Sequence, residues 1–170
     1  MKPSRRDALK MAAAIPLVDL HAQPAAPTTK FFTAEEFRLV DELTEMIIPA
    51  DDHSPGARGA RVAEFIDQRL AESFEKEPQQ LWRDGLRHVD EQAQSKHGTR
   101  FLNATHAQRV ALLTEMVSED DEPKTLGGRF FQELKKRAVQ TYYTSDIGIH
   151  KEMEYKGNTY LDEFAGYDAK

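Results

Sequence analysis

Asp51, Asp52 and His53 stand side by side between Ile48-Pro49 and the Pro55-Gly56 pair. Two carboxylates and an imidazole this close could offer oxygen and nitrogen ligands to a hard cation. The same residues ahead of Ser54-Pro55-Gly56 are also ordinary turn chemistry, in which Asp accepts hydrogen bonds from nearby backbone N–H groups. No EF-hand-like ligand pattern follows them, so the turn reading is preferred. His150 and Glu154 are four residues apart, as two ligands on one helical face would be, but no third ligand accompanies them. Gly148 also argues against a helix there. His88, His97 and His106 are scattered over expected helix ends and polar faces and read as surface residues. Gly127-Gly128 could set the N-terminus of a following helix against an anion. A loop that needs flexible backbone is the simpler explanation of the pair.

Other chemistries lack their residues. There is no Gly-x-Ser-x-Gly turn to present a nucleophilic serine. Gly-x-Gly-x-x-Gly and Gly-x-x-x-x-Gly-Lys are both missing. The chain has no cysteine, which removes thiol nucleophiles, thiolate zinc sites, iron–sulfur clusters and Cys-x-x-Cys-His haem attachment. Paired carboxylates are plentiful only because the chain is acidic. No catalytic set, resident cofactor or metal site is therefore expected in this chain.

Ser4-Arg5-Arg6-Asp7-Ala8-Leu9-Lys10, followed by the apolar run from Met11 to Val18, reads as a twin-arginine export signal. Arg5 and Arg6 are its defining residues. Leu20-His21-Ala22 is a passable cleavage site. The expected division is a signal over 1–22, a short linker over 23–30 and a single domain over 31–170. About 140 residues of that kind make one domain. The first 22 residues carry Lys2, Arg5, Arg6 and Lys10 against Asp7 and Asp19, so the remainder is more acidic than the whole chain's −6. An acidic domain repels phosphate backbones, which argues against nucleic acid. No later run approaches the roughly 18 apolar residues of a membrane span. The hydrophobic share of 39% is low for a self-sufficient core, so part of the apolar surface is expected to be covered by a partner.

The elements that must position these residues read as helices. Phe32-Thr33 with Glu36 and Phe37 forms a capping box and a hydrophobic staple. Phe37, Val40, Leu43 and Ile47 continue one helical face, which Ile48-Pro49 ends. Val62, Phe65, Ile66 and Leu70 predict a second helix over about 61–73. A third is predicted to open at Pro78 and run through about Gln94, with Leu81, Trp82, Leu86 and Val89 on its apolar face. Gly85 should weaken it by roughly 1 kcal/mol relative to Ala, and His97-Gly98 fits a stop. Thr105 with Gln108 caps a fourth helix carrying Leu112, Leu113, Met116 and Val117, closed by the acidic stretch from Glu119. A fifth spans about 128–143, with Phe131, Leu134, Ala138 and Tyr142 on one stripe. No strand pattern competes. The expected fold is all-α: one helical domain of about five helices with an irregular aromatic C-terminal arm.

That arm, from Ser145, is broken by Gly148, Gly157 and Gly166 and carries Tyr155, Tyr160, Phe164 and Tyr167. Aromatics on such a segment suit a contact surface, and an arm wrapped on its own bundle is equally open. The candidate partner interface comprises Tyr142, Tyr143, Tyr155 and Tyr160, with the loop residues Ile48, Pro49 and Asp51.

The order of several short strings carries a family resemblance. They are Phe31 to Phe37, then Ile47-Ile48-Pro49-Ala50-Asp51-Asp52, a Pro-Gly turn, and Val62 to Asp67. His97-Gly98 with Phe101, Thr105 and Gln108-Arg109 follows, then Phe130-Phe131, Tyr142 to Ser145, Met153-x-Tyr155-x-Gly157-Asn158 and Gly166. This pattern resembles the gluconate 2-dehydrogenase subunit 3 family. The resemblance implies a small, cofactor-free subunit of a periplasmic dehydrogenase for sugars or sugar acids. It implies a large partner subunit of the glucose–methanol–choline oxidoreductase type that holds FAD, and often a cytochrome c subunit. It further implies that this chain's twin-arginine signal exports the folded, flavin-loaded pair. Two rivals stay open: a transient export chaperone, and an independent periplasmic ligand- or metal-binding module.

Overall fold

The computed structural model describes residues 29–117, 123–155 and 157. Five long helices form the domain: α1 (Ala34–Ile47), α2 (Val62–Glu72), α3 (Lys76–His97), α4 (His106–Val117) and α5 (Leu126–Tyr143). No strand occurs among the described residues. A single helical turn, Gly56–Gly59, lies between α1 and α2, a 3₁₀ turn, Phe101–Asn103, precedes α4, and a π-helical turn, Gly148–Glu152, follows α5. The expected all-α fold is therefore the observed one.

α1 starts where its sequence says. The Thr33 side chain accepts from the Glu36 N–H, and the Glu36 carboxylate accepts from the Thr33 N–H at 2.8 Å. α4 repeats the device, with the Thr105 N–H donating to the Gln108 side chain at 2.8 Å. α3 begins two residues before the predicted Pro78. Proline is tolerated there because first-turn N–H groups have no intrahelical acceptor. The helix runs on to His97 and stops at Gly98, whose φ of 68° closes the end. α5 also starts early. Gly127 and Gly128 are buried inside its first turn and are not loop residues, with Thr125 accepting from the Gly128 N–H at 3.1 Å.

α5 is the central helix and packs against all four others. The predicted stripe of Phe131, Leu134, Ala138 and Tyr142 lies in the core. An aromatic file crosses the domain. Phe31 meets Phe32 edge-on, Phe32 tilts against Trp82, and Trp82 meets Phe130 edge-on at 5.5 Å between ring centres. This file explains Gly85: a Cβ there would sit 2.2 Å from the Phe130 ring, so the glycine lets α5 approach α3. Two predicted apolar positions point outward instead, Phe65 of α2 and Val117 at the end of α4.

Candidate functional site

The loop after α1 is held by side chains that fold back on it. The Asp51 carboxylate accepts from the His53 N–H at 2.8 Å and the Ser54 N–H at 2.7 Å, and the Asp51 N–H donates to the Ser54 carbonyl. The Ser54 and His53 N–H groups stabilise the ionised form and hold the Asp51 carboxyl below its usual range. Asp51 thus makes a turn, as its sequence context favoured, while Asp52 and His53 are exposed. Glu45 of α1 accepts from the Ala50 and Arg58 N–H groups at 3.1 and 2.8 Å. Gly56, with φ at 69°, brings its Cα against Ala50, where any side chain would collide with the Ala50 nitrogen.

Three segments meet at the Tyr142 hydroxyl. It is hydrogen-bonded to the Ser54 hydroxyl from the α1–α2 loop, and it donates to Glu152 from the π-helical turn at 3.4 Å. Burial pushes the phenol pKa up, against the lowering effect of the Ser54 bond. Tyr142 is therefore a neutral structural donor and not a proton-abstracting base. Its ring is fully buried. Of the candidate interface tyrosines, it belongs to the core of its own chain, consistent with its place on the α5 stripe.

The remaining candidates take different positions. Pro49 and Asp51 are exposed and Ile48 is half-buried against the core. Tyr143 packs edge-on against Tyr142 and presents its other side to solvent. Tyr155 and its neighbour Met153 are each about half exposed. The Tyr142 network thus joins the loop of Ile48, Pro49 and Asp51 to the turn that leads to Tyr155. Arg5, Arg6 and Tyr160 lie outside the described residues.

Helical structure does reach the His150 region, contrary to expectation. Gly148 opens the π-helical turn because a Cβ there would sit 2.0 Å from the Tyr142 carbonyl oxygen. His150 faces Asp146 at 3.5 Å, whereas Glu154 sits in left-handed backbone. The predicted surface placement of His88 and His97 also needs correction. Both are half-buried, His88 lies where a Cβ on Gly127 would touch it, and His97 Nε2 is buried with no partner among the described residues. His106 is exposed as expected. Among the described residues, no three His, Cys, Asp or Glu side chains form a group that could hold a metal ion.

A groove of about 870 Å³ runs between α1, α3 and the 3₁₀ turn. Its charges neutralise one another. Arg83 pairs with Glu36 and donates to the Phe31 carbonyl at 2.7 Å, while Arg100 bridges Asp90 and Glu35. These pairs brace α1 against α3 and the 3₁₀ turn, while Arg38 and Arg87 also line the groove.

Sequence reasoning missed Asp67. It is almost fully buried on α2 and accepts from the N–H groups of Lys30, Phe31 and Phe32 at 2.6, 3.0 and 2.7 Å. The carboxylate thereby fixes the chain's entry into the domain. A signal was present: Asp67 is four residues after buried Ala63 and three before buried Leu70, so it falls on the inward face of α2.

The sequence profile of gluconate 2-dehydrogenase subunit 3 matches residues 34–160 of the 170. The chain belongs to that family. The match spans all five helices of this subunit 3 protein, including the Tyr142 junction and the exposed Tyr143 and Tyr155. None of the curated proteins or solved structures compared with it matches. No described helix of this family member is long and apolar enough to cross a membrane.

Proposed function

We propose that the chain is the non-catalytic small subunit of a periplasmic FAD-dependent dehydrogenase for sugars or sugar acids. In this reading the large subunit, of glucose–methanol–choline type, binds FAD and oxidises the substrate, and a cytochrome c subunit carries electrons onward. The small subunit supplies the twin-arginine signal that exports the folded pair, and it supports the folding and stability of its partner. The family match over residues 34–160 carries this reading.

Local chemistry supports it. Asp51 is committed to a turn and Tyr142 is held protonated in the core. In the groove between α1 and α3, Arg83 pairs with Glu36 and Arg100 with Asp90 and Glu35. The contact face in this reading consists of Pro49 and Asp51, with Ile48 at its edge, and of Tyr143, Tyr155 and Tyr160. A face of exposed aromatics around a rigid loop is the composition that stable interfaces favour.

The test is affinity purification of the tagged chain from the periplasm of its host. Flavin absorption in the eluate, a large second chain, and sugar-dependent dye reduction by the pair establish the subunit role. A flavoprotein that washes off and is fully active and stable alone makes this chain a transient escort. A colourless single chain overturns the subunit reading, and heat of sugar or metal binding to it would then establish a binding module.

A further inference from the structure

The hydrogen bonds at Tyr142 have a direction. Its O–H donates to Glu152, and a phenol has only one proton to give, so the Ser54 O–H must donate to Tyr142. The relay runs from the α1–α2 loop through α5 to the π-helical turn. The two outer segments also come close directly: a Cβ on Gly59 would lie 4.0 Å from Ile147 Cδ1. The backbone of the same tyrosine holds the turn as well. Its carbonyl accepts from the Ser145 hydroxyl at 2.6 Å, and that hydroxyl oxygen accepts from the Gly148 N–H at 3.0 Å. The segment held this way is unusual. It is π-helical over Gly148–Glu152, and Glu154 follows in left-handed backbone with φ at 48°. Single π-helical turns concentrate at functional sites, and a non-glycine residue keeps left-handed backbone only where its surroundings over-determine it. The segment displays Met153 and Tyr155, each about half exposed, and the loop displays Pro49 and Asp51.

We propose that Tyr142 is a positioning residue for partner binding: its hydroxyl locks the Pro49–Asp51 loop and the Met153–Tyr155 segment into one contact surface before the large subunit arrives. The inference rests on the subunit reading above and adds to it Met153 and a fully buried residue that never touches the partner. The loop is closed on itself by Asp51 and Glu45, so it sits as a unit. What the relay fixes is where that unit stands against the turn. Without the phenol proton, Glu152 loses this donor. The turn then keeps backbone bonds such as those from the Met153 N–H to the Gly148 carbonyl and from the Tyr155 N–H to the Ile149 carbonyl, both 3.0 Å. Ordering exposed side chains at the moment of binding costs affinity, and a surface assembled beforehand avoids that cost.

Tyr142→Phe removes the relay and keeps the ring in the core. Glu152→Ala frees the turn alone and gives a second series should Tyr142→Phe fold poorly. Amide exchange is followed at Met153 and Tyr155 in the free chain. The Kd for purified large subunit is measured for wild type, Tyr142→Phe, Tyr155→Ala and the double variant, and again with Glu152→Ala in place of Tyr142→Phe. The expected result is about tenfold faster exchange at both amides in Tyr142→Phe and in Glu152→Ala. Tyr142→Phe and Tyr155→Ala should each weaken the Kd about tenfold. The double variant should fall well short of the product of the two losses, because positioning matters less once the positioned ring is gone. A tyrosine with a structural role alone would multiply the losses. That outcome, or unchanged exchange at both amides, overturns the positioning role and leaves the subunit reading intact. Absence of any complex with wild-type chain overturns the subunit reading, and the positioning role with it.

Discussion

At the scale of single residues, Gly85 shows how context reverses an intrinsic preference. In a solvent-exposed helix, Gly→Ala stabilises by roughly 1 kcal/mol. Here the added Cβ would collide with Phe130, which is wedged against Trp82 and has nowhere to go. Gly85→Ala is expected to destabilise by about 1–3 kcal/mol, the usual range for overpacking. Urea unfolding of the two proteins decides it, and a gain in stability would refute the close approach. Glu36 gives a second residue-scale expectation. Burial pushes its pKa up, but bonds from the Thr33 N–H and from Arg83 outweigh that and leave it below the usual 4.5. A depressed folded-state pKa contributes stability that is fully present above the unfolded value and is lost as the pH falls through the folded one. Glu36→Gln should therefore be less stable than wild type near neutrality, and the gap should close as the pH drops below 4.5. Urea midpoints across that range measure it, and a gap independent of pH would show that the charge contributes nothing.

At the scale of elements, what the sequence made legible follows from how local each cause is. The capping boxes at Thr33 and Thr105 and the stop at Gly98 need only neighbouring residues, and all three stand where expected. The early starts of α3 and α5 were hidden because Pro78 and the Gly127-Gly128 pair look like boundaries. Both are acceptable in a first turn, and Gly127 answers to His88 on another helix. Of the candidate interface, Pro49, Asp51, Tyr143 and Tyr155 are exposed, while Tyr142 was legible as core from its stripe. The Tyr142–Ser54 and Asp67–Phe32 bonds were not legible, since they join residues 88 and 35 positions apart. Asp67 acts on a whole element, because it ties the chain's entry to α2. Asp67→Ala would leave buried N–H donors unmet and is expected to cost about 3 kcal/mol. Thermal melting should show the loss, and protease should cut more readily near residue 30. A variant as stable and resistant as wild type would mean that the entry is held by Phe32 packing alone.

At the scale of the whole molecule, the described residues form a helical core braced by cross-element ion pairs, with exposed aromatics at two places. One is the Tyr143 and Tyr155 face beyond the Tyr142 junction, and the other is Phe65 on α2 with Phe74 just past its end. Asp67 fastens the chain's entry at residues 30–32 to α2, and in the proposed export reading the segment bearing Arg5 and Arg6 precedes that fixed point. Replacing both arginines by lysine keeps the charge and removes the planar guanidinium pair that a receptor can read. The expected outcome of Arg5→Lys with Arg6→Lys is loss of both this chain and the flavoprotein from the periplasm, with an active pair accumulating in the cytoplasm. Fractionation with dye-reduction assays on each compartment measures it. Flavoprotein that still reaches the periplasm while the altered small subunit stays behind would remove the export role and leave stabilisation as the function of the interface.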